Sequence, residues 1–356
     1  MSIERQNPTN KKGKSILTTL AALAVLALGN YEARAQVSID LVQIGNAGNL
    51  PDTTYHGSVS YDYSIGKYDV TIGQYTAFLN AVDPTGTNPN GIYNTSMETD
   101  LNVAGISYTA GDAAGTKYAV MNNGGDSANR PITYVSWFDA ARFSNWLANG
   151  QGSGITETGA YTLNGATSGA SFTKNAVNPN TGQATTFWIP SLDEWYKAAY
   201  YDPNKEEPGV GGYWLYPTMS DTTPGNTIGD GGNQANCYNG MYSVTRRSSW
   251  SDSQNYLTDV GAFSGSGSAY GTYDQGGNVR QWDDQVVGGL YRVYRGGLWN
   301  GEPSLLDKGV MAFNDPEYED YGVGFRVAGV PEPSTTGLVL LVGAGGLVWK
   351  RRRVPL

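Results

Sequence analysis

Between Thr258 and Ala328 the chain carries TDVGAF (258–263), YGTYDQGGNVRQW (270–282), YRVYRGGLW (291–299) and GFRVA (324–328), in that order. The residues after the Arg295-Gly296-Gly297 turn are Leu298, Trp299, Asn300, Gly301, Glu302, Pro303, Ser304, Leu305 and Leu306. No cysteine lies in this stretch. The chain's single cysteine, Cys237, precedes it.

Working outward, three upstream segments read as short structural helices. Thr71 caps a helix that puts Tyr75, Phe78, Leu79 and Val82 on one face. Ser136 with Asp139 opens VSWFDAARFSNWLANG, turning Phe143, Trp146 and Leu147 inward and stopping at Gly150; Ser191 with Glu194 forms a capping box for Trp195, Ala198 and Ala199, ending before Pro203. The stretches 83–130 and 150–186 are rich in Gly, Asn and Thr and read as long loops inside one domain. No internal repeat or composition shift marks a second domain.

These helix segments, IGKYDVTIGQYTAFLNAV (65–82), RPITYVSWFDAARFSNWL (130–147) and WIPSLDEWYKAAYYDP (188–203), together with the blocks of 258–328, resemble the formylglycine-generating enzyme, or sulfatase-modifying factor, family in sequence order. The resemblance covers most of residues 39–328. It implies that family's irregular, C-type-lectin-like α+β fold for a domain spanning 36–329. It also implies a chemistry: the enzymes of the family bind copper through a cysteine pair placed shortly after the Arg-Gly-Gly turn. Counted from Gly296-Gly297, those two positions are Gly301 and Leu306. Neither side chain coordinates a metal or transfers an electron, so no catalytic residue and no copper are expected.

The ends of the chain carry sorting features. Residues 1–35 combine Lys11, Lys12 and Lys14, an apolar core from Ile16 to Leu28, and Ala33-Arg34-Ala35, the order of a secretory signal peptide cleaved before Gln36. At the other end Pro331-Glu332-Pro333 precedes an apolar run from Ser334 to Trp349 and then Lys350-Arg351-Arg352-Arg353. At ~1.5 Å per residue that run spans roughly 24 Å, so the flanking cations must snorkel for it to span a ~30 Å core. The positive-inside rule keeps the Arg cluster cytoplasmic, the orientation the signal peptide also gives. Residues 330–356 resemble the PEP-CTERM sorting signal of Gram-negative bacteria that secrete exopolysaccharide. That resemblance implies the secretion machinery and exosortase as partners, a temporary inner-membrane anchor, and a final place at the cell surface or outside the cell; a permanent anchor is the alternative.

Nine of the 23 Lys and Arg, but only three of the 32 acids, lie in these terminal segments. Residues 36–329 therefore hold 14 basic and 29 acidic side chains, a net charge of −15. Such a charge argues against nucleic-acid or anionic-membrane binding, since either needs a basic face. Roughly 290 residues are long enough to bury a sizeable core without disulfides, and Cys237 alone builds none within the chain.

The one histidine, His56, lies in the polar stretch TTYHGS. Cys or Ser nucleophiles normally need a base in reach, and zinc sites need several His or Cys ligands, so neither chemistry is expected. Calcium needs only oxygen ligands. The resemblance implies two calcium sets: Asn236 and the Cys237 carbonyl with Asp252 and the Gln254 carbonyl, and Asp274 with the Gly277 and Val279 carbonyls and Gln281. Position 281 departs from the family's usual Glu, which removes a charge from the second set. Asp283 and Asp284, being adjacent, point to opposite faces of a strand and make no glycosidase pair. Trp214, Tyr291 and Trp299 are candidates for stacking on a sugar, beside Tyr216 and Tyr294. The expected role is a non-catalytic binding or structural module, with exopolysaccharide or another surface component as partner. A carbohydrate-binding lectin and an enzyme with residual oxidase activity are the alternatives.

Overall fold

Each of the three longest helices begins where a hydroxyl cap meets an acceptor three residues on. Thr71 with Gln74 opens α1 (Ile72–Val82), Ser136 with Asp139 opens α3 (Trp137–Ala148), and Ser191 with Glu194 opens α4 (Leu192–Tyr200); all three are complete capping boxes. Between the first two lies a single turn, α2 (Ser96–Thr99). The computed structural model describes residues 36–330, and Val37 onward forms one compact unit. The expected signal peptide and the Pro331-Glu332-Pro333 sorting segment lie outside the described residues. Among those described, no helix is long and apolar enough to cross a membrane.

The strands are short. β1 (Leu41–Ile44), β2 (Tyr63–Gly66), β12 (Ala328–Gly329) and β5 (Phe187–Trp188) form one antiparallel sheet in the order β1-β2-β12-β5. β10 (Ala312–Asn314), β9 (Tyr291–Arg295), β8 (Arg280–Val287) and β11 (Val323–Phe325) form a second, ordered β10-β9-β8-β11, in which β11 runs parallel to β8. Two small hairpins, β3 (Ile106–Tyr108) with β4 (Tyr118–Val120) and β6 (Tyr201–Asp202) with β7 (Gly212–Tyr213), complete a mixed fold with few helices. The chain leaves β11 at Phe325 and joins the first sheet at Ala328, so Arg326 and Val327 span the crossing between the two sheets.

The stretch 83–130 is more ordered than a loop, since it contains α2 and the β3-β4 hairpin. Its register places Tyr108 opposite Tyr118, and both rings pack on Tyr93 at 6.0 and 5.1 Å. Three aromatic residues scattered through a Gly-rich sequence supply the burial that local propensity does not. The stretch 150–186 has no regular element beyond an isolated bridge at Val177 and Ala184. It wraps α3, every residue of which is buried. Arg142 pairs with Glu157 at 2.8 Å, and Asn145 bonds the backbone of Thr156 and Tyr161, so polar side chains of the helix hold the loop in place. The central core is aromatic: Tyr75, Phe78, Phe143, Trp146 and Phe325 meet at ring separations of 5.3 to 6.4 Å.

Candidate functional site

The Arg-Gly-Gly turn follows β9. Gly296 has φ +100°, and a Cβ there would stand 2.8 Å from the Gln275 carbonyl, so this turn excludes any side chain. Downstream, Leu306 is fully buried among Tyr216, Ala235 and Cys237, with Leu215 and Leu305 packed against them. Gly301 is also buried, and a Cβ on it would meet Leu298 Cδ2 at 2.7 Å and Leu305 Cδ1 at 2.9 Å. Both positions expected for a reactive pair are thus enclosed by hydrocarbon. Cys237 belongs to the same cluster, and burial pushes its thiol up to about 12. A thiol held protonated is neither nucleophile nor metal ligand at neutral pH.

A polar centre lies where the two sheets meet. Arg326, fully buried, donates Nε to Gln281 Oε1 at 2.7 Å, Nη1 to the Gly66 carbonyl at 2.8 Å, and Nη2 to Asp69 Oδ1 at 3.0 Å and the Tyr273 carbonyl at 2.8 Å. Gln281 Oε1 also accepts from Trp195 Nε1 at 2.7 Å, while its Nε2 donates to the Asp274 carbonyl at 2.7 Å. Asp274 Oδ2 accepts from the Gly261 amide at 2.6 Å, and burial pushes its carboxyl up to about 6. Burial works against the charges of Asp69 and Arg326 alike, raising the first and lowering the second.

This arrangement includes Asp274 and Gln281 of the second calcium set. The Gln281 oxygen already has two donors, and its amide nitrogen faces the Asp274 backbone oxygen, so Gln281 is committed to hydrogen bonds. In the first set Asn236 donates to the Tyr256 carbonyl and to Asn278 Oδ1, and the Cys237 carbonyl accepts from Asn226 Nδ2 at 3.0 Å. The Gln254 carbonyl shares the Asn102 amide with the Ser251 carbonyl, at 2.9 and 2.8 Å, while Asp252 is exposed. Each carbonyl of the set thus accepts from an asparagine amide, Asn226 at Cys237 and Asn102 at Gln254. Among the described residues no group of three or more His, Cys, Asp or Glu could hold a metal ion.

The stacking candidates separate by burial. Trp299 is 1% exposed and lies parallel to Tyr256, ring centres 4.9 Å apart, with Tyr242 and Tyr321 also against it. It is a core residue and offers no face to a sugar. Tyr216 and Tyr294 are likewise buried. Trp214 is half-buried, with Lys205 Nζ 4.4 Å over its ring and Nε1 bonded to Asp202, and half-buried Tyr291 packs on Phe313. Among the tryptophans of the described residues the most exposed is Trp250, at 52%, whose indole lies 5.8 Å from Trp299 and 5.7 Å from Tyr256. Its position in the polar run RRSSWSDS was a signal: an isolated indole with no apolar neighbours in sequence.

His56 is half-exposed, with Nδ1 3.9 Å from Asp193 Oδ1 and its ring 5.8 Å from that of Tyr196. Burial lowers its pKa, so it is neutral at pH 7.

A family model described as the sulfatase-modifying factor enzyme 1-like domain matches residues 12–330. The chain belongs to this family. The match begins inside the segment expected to be a signal peptide and ends just before the expected sorting motif. In this sulfatase-modifying factor enzyme 1-like protein the two positions assigned to the family's cysteine pair are the hydrocarbon-enclosed Gly301 and Leu306. No curated protein matches the chain in sequence. Solved structures that resemble it include CarF, at 21% identity and TM-score 0.46 over 83% of this chain and 99% of CarF. Variable protein 1 of Treponema denticola matches at 18% identity and TM-score 0.46, over 83% and 96% of the two chains. PvdO of Pseudomonas aeruginosa matches at 17% identity and TM-score 0.40, over 83% and 93%.

Proposed function

We propose that this protein is an exported, non-catalytic member of the sulfatase-modifying factor enzyme 1-like family, acting as a binding or structural module on a C-type-lectin-like scaffold. Its place is the cell surface or the exopolysaccharide matrix, reached through the signal peptide and the exosortase motif at Pro331-Glu332-Pro333. The observation that carries the reading is the filling of both cysteine positions: Leu306 sits in a closed apolar cluster and Gly301 is crowded by Leu298 and Leu305. Incubation of the purified protein with copper and a Cys-x-Pro-x-Arg peptide tests it. No aldehyde above a blank is expected, and aldehyde formation overturns the reading.

Carbohydrate recognition is the form of binding favoured by Trp250. A large indole half open to water, backed by the rigid rings of Tyr256 and Trp299, is a ready stacking surface. On a glycan array the protein is expected to bind the producer's own polysaccharide, and Trp250→Ala to lose the signal. Equal binding by the variant removes Trp250 from the site, while silence of both proteins leaves a structural role.

A further inference from the structure

A cleft of about 520 Å³ opens beside the start of α1, walled by the residues before β1, the loop at 128–129 and Asp259-Val260. Its volume lies within the range of small-molecule sites. Three of its lining residues are Asp40, Asp69 and Asp259, and none is Lys or Arg. Asp40 and Asp259 are exposed, and neither carboxylate has a hydrogen bond or ion pair with another described residue, which leaves both free for a ligand.

Asp69 forms part of the wall. Its side chain is fully buried, Oδ1 is held by Arg326, and Oδ2 has no hydrogen-bond partner. A buried carboxylate oxygen without a donor is an exception among native polar groups. One guanidinium, that of Arg326, faces both Asp69 and Asp274, and burial raises both carboxyls, so the charge offered to a ligand is that of Asp40 and Asp259.

The neighbouring cations are committed elsewhere. Arg326 spends its donors on Gln281, Gly66, Asp69 and Tyr273. Arg130 spends its donors on Asn123, Gly124 and Ser127, and its charge reaches Asp259 only through space, with no hydrogen bond or ion pair between them. The Lys67 ammonium lies over the rings of Tyr68 and Tyr273, at 5.2 and 5.6 Å, and Tyr68 itself lines the cleft. A concave surface with one sign of charge concentrates ions of the opposite sign. Phosphates and uronates are repelled there, whereas an ammonium meets two free carboxylates, with Gln74, Asn129 and Thr71 among the polar groups around it.

We propose that this cleft binds a small ligand through a primary ammonium group, either an amino sugar or a lysine side chain. It shares no lining residue with the Trp250 surface, so the two sites stand or fall separately.

Calorimetric titration of the purified protein with glucosamine and with Nα-acetyl-lysine methylamide distinguishes the two sources, with glucose and glucuronate as the neutral and anionic controls. At least one amine is expected to bind five times or more tighter than glucose, with glucuronate silent. Asp40→Asn with Asp259→Asn is expected to weaken that binding roughly fivefold or more, the scale of two exposed charge pairs. Its melting temperature should stay within about 2 °C of the parent, since neither carboxylate supports the fold, and Trp250→Ala should leave the amine affinity unchanged. Amine binding no tighter than glucose, no binding at all, or an unchanged affinity in a folded double variant overturns the proposal.

Discussion

Two buried regions centred twenty residues apart in sequence, at Leu306 and Arg326, solve opposite problems. Around Leu306 the protein has hydrocarbon at the positions where its family carries reactive sulfur, and the one remaining thiol, Cys237, is sealed in with it. Around Arg326 it keeps a dense polar centre, with a guanidinium, a glutamine and two aspartates bonded across both sheets. The first region fills its space with apolar side chains and needs no polar partner for any of them. The second shows why the same freedom is absent at Gln281: both polar atoms of its side chain have defined partners, and an exchange leaves one of those partners unpaired.

The largest effect should come from breaking the polar region. Arg326→Ala strips a donor from four acceptors and leaves Asp69 buried without its partner, so a loss of about 3–5 kcal/mol in urea unfolding is expected. A loss below about 1 kcal/mol would mean that the centre is not what joins the sheets. In the aromatic layer beside the apolar region, Trp299→Ala removes a buried indole from the stack on Tyr256 and should cost about 3–4 kcal/mol.

Gln281→Glu is subtler. It converts the donor facing the Asp274 carbonyl into an acceptor, at a cost of about 1–3 kcal/mol. The parent protein should melt at the same temperature with calcium or with chelator, because Gln281 and the Cys237 and Gln254 carbonyls already hold hydrogen-bond donors. A calcium-dependent rise, as expected for a ligand that binds only the folded state, would break the contrast between a cation site and a hydrogen-bonded one.

The smallest effect is on pH dependence. Asp274 and Asp139 are raised to about 6, and Asp284 and Glu319 to about 7, all first by burial. A carboxyl raised on folding binds its proton more tightly in the native state. Its contribution is therefore full below the unfolded value near 4 and fades as pH climbs through 6 to 7. Asp52 and Glu157 are lowered and act the other way, losing their contribution on acidification below about 4. The melting temperature should thus rise by a few degrees from pH 8 to pH 5 and then fall. In the apolar region Cys237, raised to about 12, stays protonated throughout and adds nothing to this profile. Rapid labelling of that thiol at pH 8 in the folded protein would show the cluster to be open.

Much of the scaffold was legible because its signals are local. Thr71-Gln74, Ser136-Asp139 and Ser191-Glu194 each encode a helix start within four residues, and Gly296 marks a turn that no side chain can enter. That Gly301 and Leu306, the positions counted from the Arg-Gly-Gly turn, are not cysteines was equally plain, since identity needs no coordinates. What sequence could not rank was accessibility. Trp299 and Trp250 are both tryptophans near polar residues, yet one is sealed between rings and the other opens to water, a difference set by which segments pack above them. Nor could it show that β11 would bring Arg326 beside Gln281, 45 residues away, and turn an expected calcium ligand into a hydrogen-bonded amide. The sequence by itself determined the family, the helix starts and the lack of any cysteine after Cys237, because these depend on residue identity and short spacing. Only the tertiary structure decided which polar groups are already satisfied and which aromatic faces and carboxylates remain free, because satisfaction and exposure belong to contacts between distant parts of the chain.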